Sequence, residues 1–164
     1  MTQKPITVDI GYEIANPTGV SISPDGSSVV FGISNPDVKS GDLNNSLWIK
    51  NLKSPDSAPR ALTNGNSDAN PKFSPNGSSI AFIRTDSTGI NQIWLLQMSG
   101  GEAAIITSLK ENVRDFSWKP DSSGFAAVSD VKPDYANGNE HDETDVISIT
   151  RIRYRHDELR WRGD

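Results

Sequence analysis

Three segments of the chain repeat one another, and that repeat restricts the fold more than any other feature. Val20-Ser21-Ile22-Ser23-Pro24-Asp25-Gly26-Ser27-Ser28-Val29-Val30-Phe31 aligns with Pro71-Lys72-Phe73-Ser74-Pro75-Asn76-Gly77-Ser78-Ser79-Ile80-Ala81-Phe82. A third copy reads Asp115-Phe116-Ser117-Trp118-Lys119-Pro120-Asp121-Ser122-Ser123-Gly124-Phe125-Ala126-Ala127. The prolines at 24, 75 and 120 are 51 and then 45 residues apart. Each copy is a short strand, a Pro-Asp or Pro-Asn turn and a second strand. Proline presets φ for the first corner of a turn, and Asp-Gly or Asn-Gly tolerates the positive φ that follows. The third copy, with Asp121-Ser122-Ser123-Gly124, is expected to make a longer turn of the same kind.

The first two copies continue in parallel. Leu47-Trp48-Ile49 and Ile93-Trp94-Leu95-Leu96 read as third strands, and Ala61-Leu62-Thr63 and Ala103-Ala104-Ile105-Ile106-Thr107 as fourth strands. Four antiparallel strands per repeat of about 45 residues is the pattern of a β-propeller blade. A plain stack of four-stranded repeats is the alternative. The expected fold is therefore all-β, a partial propeller with an incomplete ring. Its expected layout is a lead segment over 1–15, blade one over 16–63, blade two over 64–108 and an incomplete blade three over 109–164. In the lead, Ile6, Ile10 and Ile14 suit a helix, while Ile6, Val8 and Ile10 alternate as a strand does; both readings stand. The third copy lacks a third strand where one is due, at Asn139-Glu140-His141-Asp142-Glu143-Thr144, and the next strand-like run is Val146–Tyr154. Propellers close with roughly four or more blades. An open array leaves blade faces uncovered, so the chain reads as a piece of a larger protein.

Composition agrees with this. Ile and Val together outnumber Leu by 24 to 8, which favours strands over a helical bundle. The formal net charge of -5 argues against a general phosphate-backbone binder. There is no cysteine, which excludes disulfides, thiolate metal sites and thiol catalysis, and fits a reducing compartment. Met1 to Asp9 carries no apolar leader, and the longest apolar runs, such as Ile80-Ala81-Phe82-Ile83, are too short to cross a bilayer. The expected location is the cytoplasm.

Several further words narrow the choice: Ile80-Ala81-Phe82-Ile83-Arg84, Gln92-Ile93-Trp94-Leu95-Leu96, Gly100-Gly101-Glu102-Ala103, Phe116-Ser117-Trp118-Lys119-Pro120-Asp121 and Thr150-Arg151-Ile152-Arg153-Tyr154-Arg155-His156-Asp157. With Ser23-Pro24-Asp25-Gly26, Leu47-Trp48-Ile49, Leu62-Thr63 and Phe73-Ser74-Pro75-Asn76-Gly77, they resemble the N-terminal propeller of the prolyl oligopeptidase family of serine peptidases. The branch they resemble is that of the acylaminoacyl-peptidases and dipeptidyl-aminopeptidases, and the likeness runs from about residue 6 to the end. The resemblance implies a propeller that limits access of peptides to a C-terminal α/β-hydrolase domain holding a serine triad. This chain carries no such domain and no Gly-x-Ser-x-Gly elbow, since Gly19-Val20-Ser21-Ile22-Ser23 lacks the second glycine. Its two histidines are His141 and His156. No catalytic, cofactor-binding or metal-binding residue is assigned to it, and no cofactor is expected. The expected partners are the hydrolase domain of a longer parent chain, peptides in that context and further copies of the chain, with no nucleic acid and no membrane. The alternatives are a non-catalytic interaction propeller resembling TolB and a truncated product without a function of its own.

Three segments invite a site. Asn64-Gly65-Asn66-Ser67-Asp68-Ala69-Asn70 spaces oxygen side chains as a calcium loop does, but Ala69 and Pro75 stand where glycine and glutamate are needed, so a solvated turn between blades is expected. Residues 130–145, an acidic insertion in blade three, hold Asp130, Asp134, Glu140, Asp142, Glu143 and Asp145 against Lys132, suggesting a metal site with His141, an acidic contact for a substrate amine or, as the expectation, a solvated loop. Arg151, Arg153, Arg155, Arg160 and Arg162 with Tyr154 and Trp161 suit nucleic acid or an interface, and because Asp157, Glu158 and Asp164 offset the charge, contact with the rest of a parent protein is the expectation. Trp48, Trp94, Trp118 and Trp161 are expected to be mostly core.

Overall fold

The computed structural model describes residues 15–37 and 41–130. Among these residues there is no helix. Ten strands form two four-stranded antiparallel sheets and one hairpin. The first sheet is β1 (Asn16–Ile22), β2 (Ser28–Pro36), β3 (Leu43–Asn51) and β4 (Arg60–Ala61), in that spatial order. The second is β5 (Ala69–Phe73), β6 (Ser79–Thr85), β7 (Asn91–Gln97) and β8 (Ala104–Ile105). The hairpin pairs β9 (Val113–Trp118) with β10 (Phe125–Ser129). These are the blades of a partial β-propeller whose ring is not closed within the described residues. The lead segment up to Ile14, the place where blade three is expected to lack its third strand, the strand-like run Val146–Tyr154, His141, His156 and the arginine-rich stretch lie outside the described residues, as does the acidic segment except for Asp130.

The repeated turns fold alike because the same atoms saturate them. In the first, the Asp25 carboxylate accepts from Ser23 Oγ (2.7 Å), Ser27 N (3.0 Å) and Ser27 Oγ (2.8 Å), while Ser23 Oγ accepts from Ser28 N (2.9 Å). Asn76 Oδ1 repeats this with Ser74 Oγ, Ser78 N and Ser78 Oγ, and Ser79 N donates to Ser74 Oγ. The glycine at the fourth position adopts φ +68° at Gly26 and +72° at Gly77, a region that costs any other residue steric strain. The third turn is not longer, as its sequence suggested. Lys119 N donates to Gly124 O just as Ser23 N donates to Ser28 O, so the loop lengths match. Ser122 takes the glycine position at φ +62°, and Lys119 replaces the serine that bridges the other two turns.

Stacking of the sheets explains the burial pattern. Residues Ser79–Ile83 of β6 are all buried, because both faces of the second sheet are covered. Ile80 and Phe82 pack with Val30, Leu47, Ile49, Phe73 and Leu96 on the side of the first sheet. Ala81, Ile83 and Ile93 pack with Val113 and Phe116 on the side of the hairpin. At the two ends of the stack the faces are bare: Val20 and Ile22 are 71% and 60% exposed, and Val128 is 61% exposed. The fourth strands pair over only two residues each, shorter than the sequence suggested. Trp94 and Trp118 are half-buried at the sheet joints, Trp48 is half-buried on the face of β3 opposite Leu47 and Ile49, and none is fully in the core.

Candidate functional site

The most elaborate polar arrangement lies at the joint between the two four-stranded sheets. The chain leaves β4, crosses in residues 62–68 and enters β5. Leu62 N donates to Leu47 O, and Thr63 Oγ1 accepts from Leu47 N (3.0 Å), so two residues extend the edge of the first sheet without regular pairing. Thr63 Oγ1 in turn donates to Asp68 Oδ2. Asp68 is fully buried and forms a two-pronged pair with Arg84 at the end of β6, Nε to Oδ1 at 2.5 Å and Nη2 to Oδ2 at 2.9 Å. Asp68 N donates to Asn45 O, and Asn45 N to Asn66 O, tying the crossing loop to β3. The Arg84 guanidinium lies 5.1 Å from the Phe82 ring centroid and 5.0 Å from that of Trp94. Planar, delocalised guanidinium suits both the fork to a carboxylate and stacking on rings. Beside this clamp is an open cavity of about 410 Å³ lined by Leu62, Gly65, Arg84, Trp94, Glu102 and Ala103 among others.

The joint between the second sheet and the hairpin uses the same threonine latch with a different partner. Thr107 Oγ1 accepts from Ile93 N and donates to Gln92 Oε1, whose amide also bonds Leu109 N and Leu109 O. Gln92 occupies the repeat position of Ser46. Ser46 Oγ accepts from Trp48 Nε1 at 3.1 Å, whereas Gln92 is committed elsewhere and Trp94 Nε1 is left buried without a partner. Nearer the inner strands, Lys72 Nζ of β5 reaches Asp115 Oδ1 (2.7 Å) and Phe116 O on β9, and Trp118 Nε1 donates to Lys72 O. The Lys72 ammonium, with Asn70 Nδ2 and Phe116 N–H, holds the Asp115 carboxyl down at about 2. The Ser23 hydroxyl, with the Ser27 N–H and hydroxyl, does the same for Asp25, also to about 2. Asp86, Asp121 and Asp130 are lowered by hydrogen bonds from Thr88, Ser123 and Arg114 respectively.

The expected solvated turn over residues 64–70 is thus only half so: Asn64 and Asn66 are exposed, but Asp68 is the buried end of an ion pair. Among the described residues no group of three or more His, Cys, Asp and Glu could hold a metal ion. No helix among them is long and apolar enough to cross a membrane. The sequence reading overlooked Thr63, Asp68 and Arg84 as a unit. The available signal was an aspartate in the crossing loop with an arginine closing the following hairpin. The arrangement can lock one sheet to the next.

Comparison with known proteins places this geometry. No protein-family model matches the sequence. YuxL of Bacillus subtilis, described as an uncharacterized peptidase, is 24% identical over 160 residues, covering 94% of this chain and 24% of that protein. Dipeptidyl-peptidase 5 of Porphyromonas endodontalis is 25% identical over 155 residues, covering 92% of this chain and 22% of its own length. The chain is homologous to peptidases. It spans about a quarter of the length of these curated relatives. Acylaminoacyl peptidase of Pyrococcus horikoshii superposes with a TM-score of 0.61 at 22% identity, over 74% of this chain and 18% of that one. The β-propeller domain of the trilobed protease from Pyrococcus furiosus gives 0.58 at 23% identity, over 71% and 34%. A TolB protein from Agrobacterium tumefaciens gives 0.55 at 22% identity, over 71% and 38%. The fold of this peptidase homologue is that of their propellers.

Proposed function

We propose that the chain is the N-terminal propeller part of a cytoplasmic serine peptidase of the acylaminoacyl-peptidase type. In that setting blade one covers 16–63, blade two 64–108, and blade three begins at 109. Its role is to limit, by its geometry, which peptides reach a C-terminal α/β-hydrolase domain; the acyl transfer to serine and then to water belongs to that domain. The observation that carries this reading is sequence similarity to peptidases over 94% of the chain, joined to a stack of four-stranded antiparallel sheets. Topology adds a detail. Four antiparallel strands return the chain to the side from which it entered, so β1 begins, and β4 and β8 end, on one side of the stack. A domain attached before the first blade or after a complete last one joins on that side, beside the crossing loops 62–68 and 106–112.

The second reading, favoured by the TolB superposition, is a non-catalytic interaction propeller. An extract of the source organism separates the two. An antibody raised against the chain is used beside a fluorophosphonate probe for reactive serines. A band several times heavier than 17.8 kDa that takes the probe supports the peptidase. A heavy band that stays unlabelled supports the interaction propeller, and a lone unlabelled band at 17.8 kDa overturns the peptidase reading for this product.

A further inference from the structure

Two Asn-Gly dipeptides fall within the described residues, Asn64-Gly65 and Asn76-Gly77, and both asparagines are exposed. Their hydrogen bonding is opposite. Asn76 Oδ1 accepts three bonds, from Ser74 Oγ, Ser78 N and Ser78 Oγ, and the Gly77 N–H is spent on Ser74 O at 2.8 Å. Nothing hydrogen-bonds the Asn64 side chain or the Gly65 N–H among the described residues. Gly65 has another peculiarity. A Cβ at that position would lie 2.4 Å from Asp68 Oδ1 and 2.6 Å from Arg84 Nη2, so its backbone rests directly on the buried ion pair.

We infer that Asn64-Gly65 is a site of spontaneous covalent modification whose conversion loosens the joint between the two four-stranded sheets. Solvent base removes the Gly65 amide proton, and the nitrogen attacks Asn64 Cγ. The new N–Cγ bond closes a five-membered imide, while the Cγ–Nδ2 bond breaks and the nitrogen leaves as ammonia with a proton from water. Water then adds to one imide carbonyl and opens the ring, giving either aspartate or an isoaspartyl linkage in which the backbone runs through the former side-chain carbon. The attack needs a free amide nitrogen, a free side-chain carboxamide and a backbone without a Cβ in the way, and residues 64–65 supply all three. At residues 76–77 the attacking atom and its target are both held by the turn. The isoaspartyl form lengthens the main chain by one atom beside Gly65, where even a Cβ has no room, and the aspartyl form adds a charge next to the Asp68–Arg84 pair.

The test is to age the full chain, folded, in mildly alkaline buffer and to follow both sites by peptide mapping and mass spectrometry, with a parallel sample in urea. In the folded chain Asn64 is expected to convert at least about tenfold faster than Asn76, a ratio that about 1.4 kcal/mol of retained turn hydrogen bonding sets. In urea the two rates should converge. Equal rates in the folded chain, or a faster Asn76, overturn the inference. Asn64→Gln, which cannot form the five-membered ring readily and removes no hydrogen bond, should age without losing melting temperature, while the unaltered chain loses it in step with conversion. An aged, converted chain that melts like the fresh one overturns the link to the sheet joint.

Discussion

Replacing Asp68 with alanine removes the one fully buried carboxylate among the described residues. The structure sets what is left behind. The Arg84 guanidinium loses both of its bonds to carboxylate oxygens, at 2.5 and 2.9 Å, and the Thr63 hydroxyl loses its acceptor. Deleting one partner of a buried pair costs about 3–5 kcal/mol, because the other charge stays behind in a poorly solvating place. The Arg84 side chain is 20% exposed, so water reaches one edge of it and the lower end of that range applies, about 3 kcal/mol. A protein of this size has about 5–15 kcal/mol of stability in all, so the loss is large. With a urea dependence of about 2 kcal/mol per molar, the midpoint should fall by about 1.5 M. Fluorescence of Trp94 and Trp118, which sit at the sheet joints, reports the transition. Asp68→Leu combined with Arg84→Met should recover most of the loss, since an apolar pair leaves no stranded charge. A loss below about 1 kcal/mol for Asp68→Ala, or strict additivity in the double variant, would refute the claim that the pair locks the joint.

Gly65→Ala should destabilise by about 2 kcal/mol or more in calorimetry, because the added methyl meets Asp68 Oδ1 and Arg84 Nη2 well inside contact distance; tolerance of alanine there would contradict the packing. Gly26→Ala isolates backbone strain, since nothing lies within 4 Å of its would-be Cβ, and should cost about 1–2 kcal/mol. Gly77→Ala should cost at least as much, with Pro24 Cδ at 3.4 Å, while Ser122→Gly should stay within about 1 kcal/mol of neutral, relief of strain offsetting the lost bond from Asn76 N. The folded-state pKa values of Asp25 and Asp115 lie at about 2, below the ordinary 3.8, and those of Asp86, Asp121 and Asp130 are also lowered. The unfolded chain therefore binds more protons in that window. Stability is fully present above the ordinary value and should fall as pH drops from about 4 through 2. Asp115→Asn should shallow the fall of melting temperature with pH, and an unchanged slope would count against the Lys72–Asp115 contact.

The sequence by itself determined the hairpins, their sheet order and the repeat that stacks them. Ser23-Pro24-Asp25-Gly26 and Ser74-Pro75-Asn76-Gly77 close through atoms within six consecutive residues, so their geometry is local and legible. The unbroken apolar run Ile80-Ala81-Phe82-Ile83 likewise suits a strand covered on both faces. What crosses from one sheet to the next was not legible. Asp68 and Arg84 are 16 residues apart on a loop and a strand end, and nothing local says that one is buried and the other reaches it. The third turn misled because its glycine comes late, at Gly124; tertiary contact with Asn76 and the pairing of β9 with β10 hold Ser122 at positive φ instead. The tryptophans read as core because they recur on strands, yet Trp94 and Trp118 sit half-buried between sheets and Trp48 on the outer face of the first sheet, and burial there depends on the neighbouring blade. Local hydrogen bonds are encoded within a few residues of themselves; the packing of one blade on another is settled only when both are present.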